Sequence, residues 1–178
     1  MLFRSQILTP TMIACFSLQE GIYVILFQYL DKAVDFQQQW NQSCADEKSQ
    51  LLQQLMVLIA EHHNKNILQQ DLHLNNFVIY NSQLYTLDGS DIVSETKLTE
   101  TAVLNNLALL FAQFYPENDA NIAAALAQYL QQRKSKFLSS PVEQVKYLTL
   151  KQRDYRKHKF IVKTDRKSTR LNSSHTSI

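Results

Sequence analysis

Asp71-Leu72-His73-Leu74-Asn75-Asn76-Phe77, followed by Leu87-Asp88-Gly89, is the stretch whose reading decides the fold. Asp71 precedes Asn76 by five positions, and Asp88 follows Asn76 by 12. Between them lie two short β-forming runs, Phe77-Val78-Ile79-Tyr80 and Leu84-Tyr85-Thr86-Leu87, separated by the turn pair Asn81-Ser82. A hairpin there brings Asn76 and Asp88 close together. Phosphoryl transfer from a nucleotide uses such a set: a carboxylate to orient and deprotonate an attacking hydroxyl, and oxygen ligands for magnesium on the phosphates. Taken alone, an Asp and an Asn at this spacing are also what a polar loop between two strands would contain. The surrounding order of helix, loop, hairpin and Asp-Gly makes the chemical reading the sharper one.

Upstream of the loop, Ala45 to His63 reads as a helix with one apolar stripe, Leu51, Leu52, Leu55, Leu58, Ile59 and His62. Ser43 and Asp46 are placed to form its capping box, and Asn64-Lys65-Asn66 ends it. Val34 to Trp40 suggests a shorter helix. Thr11–Leu18 and Ile22–Phe27, around Glu20-Gly21, read as a β-hairpin, and the continuous apolar run of the second strand predicts burial on both faces. Gln28-Tyr29-Leu30 then connects. Downstream, helices are expected over about Glu100–Tyr115, Asn118–Arg133 and Val142–Phe160. Strands first and mostly helices later argue an α+β class.

The chain of 178 residues is enough for one domain. Its two glycines exclude folds built on several glycine-rich phosphate loops. Cys15 and Cys44 are too few for a disulfide framework or a zinc site, and a reduced, cytosolic compartment is expected. Asp165 to Ile178 has almost no apolar periodicity, and its first 11 residues match a sequencing adapter translated in one frame. It is read as an artefactual, disordered tail; a natural disordered tail is the alternative. Setting aside Asp165, Arg166, Lys167 and Arg170 lowers 18 basic and 16 acidic residues to 15 of each. Nucleic-acid binding is therefore not expected. A local basic run remains from Lys146 to Lys163. It is either a solvated helix face or a contact with an anionic membrane surface.

Asp71 to Asn76 fits the spacing of the catalytic loop in protein kinases, and Asp88-Gly89 stands where those enzymes carry a metal-binding Asp. Within that superfamily the chain most resembles the lipopolysaccharide kinases that phosphorylate heptose or Kdo of the inner core. The resemblance rests on Gln70–Phe77, Tyr85-Thr86-Leu87-Asp88-Gly89 and Leu104-Asn105-Asn106-Leu107-Ala108-Leu109-Leu110, and covers roughly residues 7–164. It implies a protein-kinase-like fold with a mostly helical C-lobe (31–164) and a remnant of the N-lobe sheet with its hinge (1–30). It implies ATP and Mg2+ as cofactors and a lipid-linked sugar as acceptor, handled in the cytoplasm or at the inner membrane. By the same likeness Asp71 is the catalytic base and Asn76 and Asp88 bind magnesium. His73 contacts the transferring phosphate, and backbone groups of Gln28, Tyr29 and Leu30 hold adenine. The chain departs from the pattern at Gln69 (usually His) and at Gly89-Ser90 (usually Phe-Gly). It also carries no glycine-rich loop, no strand lysine for the phosphates and no helix glutamate to pair with it. The resemblance therefore reads the chain as a fragment, with Met1 an internal methionine, and inactive alone.

Three alternatives stay open at this point. The acceptor could be another small molecule, as in aminoglycoside- or choline-type kinases, which also carry Asp-Leu-His before an Asn. The chain could be a non-catalytic pseudokinase scaffold. And His62, His63, His73 and Asp71 could form a metal cluster, against which stands the ordinary reading of His62-His63 as helix-end residues that pack or meet carbonyls.

Overall fold

The computed structural model describes residues 7–19, 21–87, 92–138 and 140–173, with side chains described as far as residue 161. Among the described residues, seven strands and five α-helices run in the order β1 (Met12–Gln19), β2 (Ile22–Phe27), β3 (Val34–Asp35), α1 (Phe36–Gln42), α2 (Ala45–Asn64), β4 (Ile67–Gln69), β5 (Phe77–Tyr80), β6 (Gln83–Thr86), β7 (Ile92–Ser94), α3 (Glu100–Phe111), α4 (Asp119–Gln132) and α5 (Pro141–Ser173). All the pairings are antiparallel: β1 with β2, β3-β5-β6 as a three-stranded sheet, and β4 with β7.

The core forms around α2. Its stripe of Leu52, Leu55, Met56 and Ile59 is fully buried, and it faces Ile122, Ala125 and Tyr129 of α4, while α3 packs on α5. Each such leucine or isoleucine contributes roughly 1.5–3 kcal/mol through the apolar surface it removes from water. Trp40 of α1 stacks on Phe36 and meets Phe114 edge-on at 4.8 Å between ring centres, which ties the short helix to the turn after α3. Asp35 caps α1 by accepting the Gln38 N–H at 2.8 Å, so the helix expected from Val34 begins two residues later. The box at the start of α2 is also displaced by one residue: Cys44 is the N-cap, and Glu47, not Asp46, accepts its backbone N–H at 2.8 Å. That bond holds the Glu47 carboxyl below the usual range.

Asn81 and Ser82 both have positive φ, 48° and 60°, the geometry of a two-residue hairpin turn whose twist matches the strands it joins. Asn66, at φ 56°, ends α2 in the left-handed region. Its backbone and side chain bond Glu95, Thr96 and Leu98, so the end of α2 fixes the loop before α3.

One expectation is corrected at β2. Five of its six residues are exposed and only Val24 is partly covered, because β1 is its one strand neighbour among the described residues. The run is apolar enough for burial, but its side chains remain largely exposed among the described residues. Residues just before the hairpin behave differently: Ile7 belongs to the main core, and the Leu8 carbonyl accepts the Thr86 N–H at 2.9 Å. The last helix continues beyond its expected end at Phe160 and runs through Ser173, into the segment expected to be irregular.

Candidate active site

The polar loop follows β4 and is pinned from both sides. Leu72 and Leu74 are buried while Asp71 and His73, which alternate with them, face outward. The apolar pair anchors the loop and leaves the two chemical side chains about half exposed, at 54% for Asp71 and 52% for His73. The loop closes into a 3-10 turn at Leu74–Asn76. Within it the His73 N–H donates to the Asp71 carbonyl at 2.9 Å, and the Asn76 N–H donates to the His73 carbonyl at 3.0 Å.

Asn76 joins the two ends of the motif. Its side-chain N–H donates to the Asp71 carbonyl at 2.8 Å, which leaves the amide oxygen as the group that can ligate a cation. Its own carbonyl accepts the Leu87 N–H at 2.8 Å, continuing the ladder that pairs Phe77 with Thr86. The hairpin register thus draws the chain at Leu87, one residue before Asp88, against Asn76. Asp88 and Gly89 themselves lie outside the described residues, as does any contact they make.

His73 bridges outward. Its Nε2 stands 3.1 Å from Asp71 Oδ1 and its Nδ1 stands 3.3 Å from Gln113 Oε1. Both ring nitrogens face oxygen atoms of neighbouring side chains. Since both partners of the Asp71 pair are half exposed, its value lies in orientation more than in stability. Gln113, in the turn after α3, also accepts the Leu74 N–H at 3.0 Å and donates to the Leu72 carbonyl. One amide side chain therefore latches three consecutive residues of the loop. The sequence offers no local signal for this role, because Gln113 lies about 40 residues away.

Behind the loop runs a buried polar chain. The Tyr129 hydroxyl donates to His63 Nδ1 at 2.7 Å, His63 Nε2–H to Asn106 Oδ1 at 3.1 Å, and Asn106 Nδ2 to the Gln69 carbonyl at 2.8 Å. This order follows from Asn106 using its N–H on the carbonyl, so its oxygen must accept. The chain links α4, α2, α3 and β4 just ahead of Asp71. Burial pushes His63 down to about 3 and His62 down to about 4, and it raises the Tyr129 hydroxyl. Both histidines are thus neutral structural groups; His62 Nε2 meets Thr86 Oγ1 at 3.2 Å. The alternative of a metal cluster with His73 and Asp71 falls: among the described residues no group of three or more His, Cys, Asp or Glu side chains could hold a metal. Asn106 was detectable in the sequence as a polar residue on the otherwise apolar Val103–Leu110 face.

The expected adenine contacts lie on Gln28-Tyr29-Leu30. The Gln28 N–H already donates to the Thr11 carbonyl at 2.8 Å, the Leu30 carbonyl accepts the Ala33 N–H at 3.1 Å, and Tyr29 is 84% exposed. In the basic run, Arg153 is committed to the fold: it bonds both oxygens of Asp119, at 3.1 and 2.6 Å, and the Phe114 carbonyl at 3.0 Å. Lys146, Lys151, Lys157 and Lys159 are exposed. Among the described residues no helix is long and apolar enough to cross a membrane.

No family model matches the chain. No curated protein matches it either. Among solved structures it is similar to WaaP in complex with acyl carrier protein, with a TM-score of 0.64 and 14% identity over 86% of this chain and 71% of that one. WaaP is a kinase of the lipopolysaccharide core. A likeness at this identity speaks to architecture, and with the strand and helix order above it leads to one conclusion: the chain has a mixed α/β, kinase-like fold.

Proposed function

We propose that this chain carries the catalytic loop of an ATP-dependent phosphotransferase acting on a sugar hydroxyl of the lipopolysaccharide inner core, heptose or Kdo. The observation that carries the reading is the joined loop. Asn76 holds the Asp71 backbone with its side chain and the Leu87 backbone with its carbonyl, on a fold shared with a lipopolysaccharide core kinase.

Magnesium-bound ATP would supply the phosphoryl group and offset the charge that develops on it. The donor set suits magnesium, which takes few protein ligands: the outward amide oxygen of Asn76 is one, and the Asp88 carboxylate would be the second. Asp71 would orient the acceptor hydroxyl and take its proton. His73, bridged to Asp71 and Gln113, would have to exchange one of these acceptors for a phosphate oxygen to contact the transferring group. Adenine would meet backbone groups of 28–30 other than the Gln28 N–H. The phosphate clamp of a complete enzyme would come from an N-lobe of which the β1–β2 hairpin is the remnant, leaving this chain a truncated form. That proposal gives the exposed apolar faces of the hairpin a reason. Exposed lysines of α5 would hold the protein at an anionic membrane surface, where a lipid-linked sugar resides.

The test is phosphate transfer from ATP to deacylated inner-core oligosaccharide, using protein expressed from the complete reading frame. Asp71→Ala should abolish transfer and leave nucleotide binding largely intact, while Asp88→Ala should remove magnesium-dependent nucleotide binding. Mild, equal losses at both positions would overturn the assignment of roles.

A further inference from the structure

On another part of the molecule, Lys97 from the loop before α3 is brought to the same cavity as Arg133 and Lys136. The cavity, of about 520 Å³, lies between the loop before α3, the start of α3 and the linker that joins α4 to α5. Its apolar wall is Leu98, Val103 and Phe137, and its one carboxylate, Glu100, accepts the Leu138 N–H at 3.1 Å. The walls are fixed by hydrogen bonds. Asn66 holds the 95–98 loop, and Asn64 Oδ1 accepts both Arg133 Nη1 at 3.1 Å and the Lys134 N–H at 2.9 Å.

We propose that this cavity binds a phosphomonoester on a small organic body, the phosphate meeting Lys97, Arg133 and Lys136 and the carbon skeleton lying on Leu98, Val103 and Phe137. Three cations against one carboxylate select an anion. The volume falls in the range of small-molecule sites, well above what a lone phosphate fills. The site shares no residue with the Asp71–Asn76 loop, so it stands or falls independently of the proposed transfer reaction.

The experiment is titration of the magnesium-free 178-residue chain with glucose 6-phosphate, with inorganic phosphate, and with phosphatidylcholine vesicles with and without phosphatidic acid, followed by amide chemical shifts. Glucose 6-phosphate should bind with a Kd under about 1 mM at low salt and move the amides of Lys97, Thr99 and Lys136. Lys97→Gln with Lys136→Gln, both on exposed side chains whose loss leaves the packing alone, should weaken binding by about tenfold or more. Asp71→Asn should bind as the parent does. Response only to vesicles containing phosphatidic acid would assign the phosphomonoester to a lipid headgroup, with the same residues. No response to glucose 6-phosphate or to phosphatidic acid vesicles, equal affinity in the double variant, or inorganic phosphate binding as tightly as the sugar phosphate would overturn the proposal.

Discussion

Gln113 reaches back across 39 residues to accept the backbone N–H of Leu74 at 3.0 Å. The same amide meets His73 and the Leu72 carbonyl, so the loop bearing Asp71 is held from the turn after α3 as well as by Asn76. Gln113→Leu keeps the size of the side chain and removes every one of these bonds. The half-buried Leu74 N–H and Leu72 C=O would then lack partners, at a cost of about 1–3 kcal/mol. Chemical denaturation should register that loss, and the His73 ring resonances should broaden or move. A variant as stable as the parent, with an unchanged His73 spectrum, would remove Gln113 from this role.

The proposed function gives Asn76 two jobs through opposite ends of one amide. Its N–H anchors the Asp71 carbonyl, and its oxygen is left for a cation. Asn76→Asp keeps the ligand oxygen and deletes the donor, whereas Asn76→Ala deletes both. Magnesium-dependent nucleotide binding by the complete protein should survive the first change within about tenfold and be lost in the second, because magnesium accepts either oxygen. Transfer should fall in both, since Asp71 loses its anchor. Equal nucleotide affinity in Asn76→Ala and the parent would exclude Asn76 as a ligand.

These two residues also mark how far the sequence could be read. The D-x-x-x-x-N spacing and the hairpin after it lie within one short stretch, where local turn chemistry governs, and the structure has the expected hairpin directly after Asn76. The α2 stripe was equally plain, because helical periodicity over 20 residues is a strong signal. The three-residue strands β4 and β7 were not, since a ladder that short leaves no periodicity to detect. Gln113 and the His63–Asn106 link depend on contacts between residues about 40 apart, which no local pattern encodes. The exposure of β2 was misread for a related reason: an apolar run states what a strand could bury, not what lies beside it. Arg153 read as one cation among several, until its fork closed on Asp119.

Stability should fall in mild acid through His62 and His63. Both are held neutral by burial, at about 4 and about 3, while an unfolded histidine titrates near its ordinary 6.5. The unfolded chain therefore takes up protons first. Below about pH 6.5 stability declines by up to roughly 1.4 kcal/mol per pH unit for each histidine, until the folded groups themselves protonate. Above pH 7 neither contributes to the slope. Comparing the parent with His62→Gln from pH 7 to 4.5 isolates one of the two slopes. A variant with the same pH dependence as the parent would show that His62 is not held neutral by the fold.

The exposed lysines of α5 lead to the last prediction. Lys151, Lys157 and Lys159 face solvent alongside Tyr147, Leu150 and Tyr155, while Arg153 is occupied by Asp119 and Phe114. Near an anionic leaflet each available lysine contributes about 1 kcal/mol, so replacing all three with glutamate should weaken binding to phosphatidylglycerol vesicles by on the order of 100-fold or more. Arg153→Gln should act differently. It breaks a bidentate pair and a bond to a carbonyl, so thermal stability should drop while vesicle affinity stays close to the parent's. Cosedimentation in low and moderate salt separates the two effects, since screening weakens only the lipid contact strongly. Vesicle binding that survives the triple reversal would leave α5 as a solvated helix and the membrane contact without support.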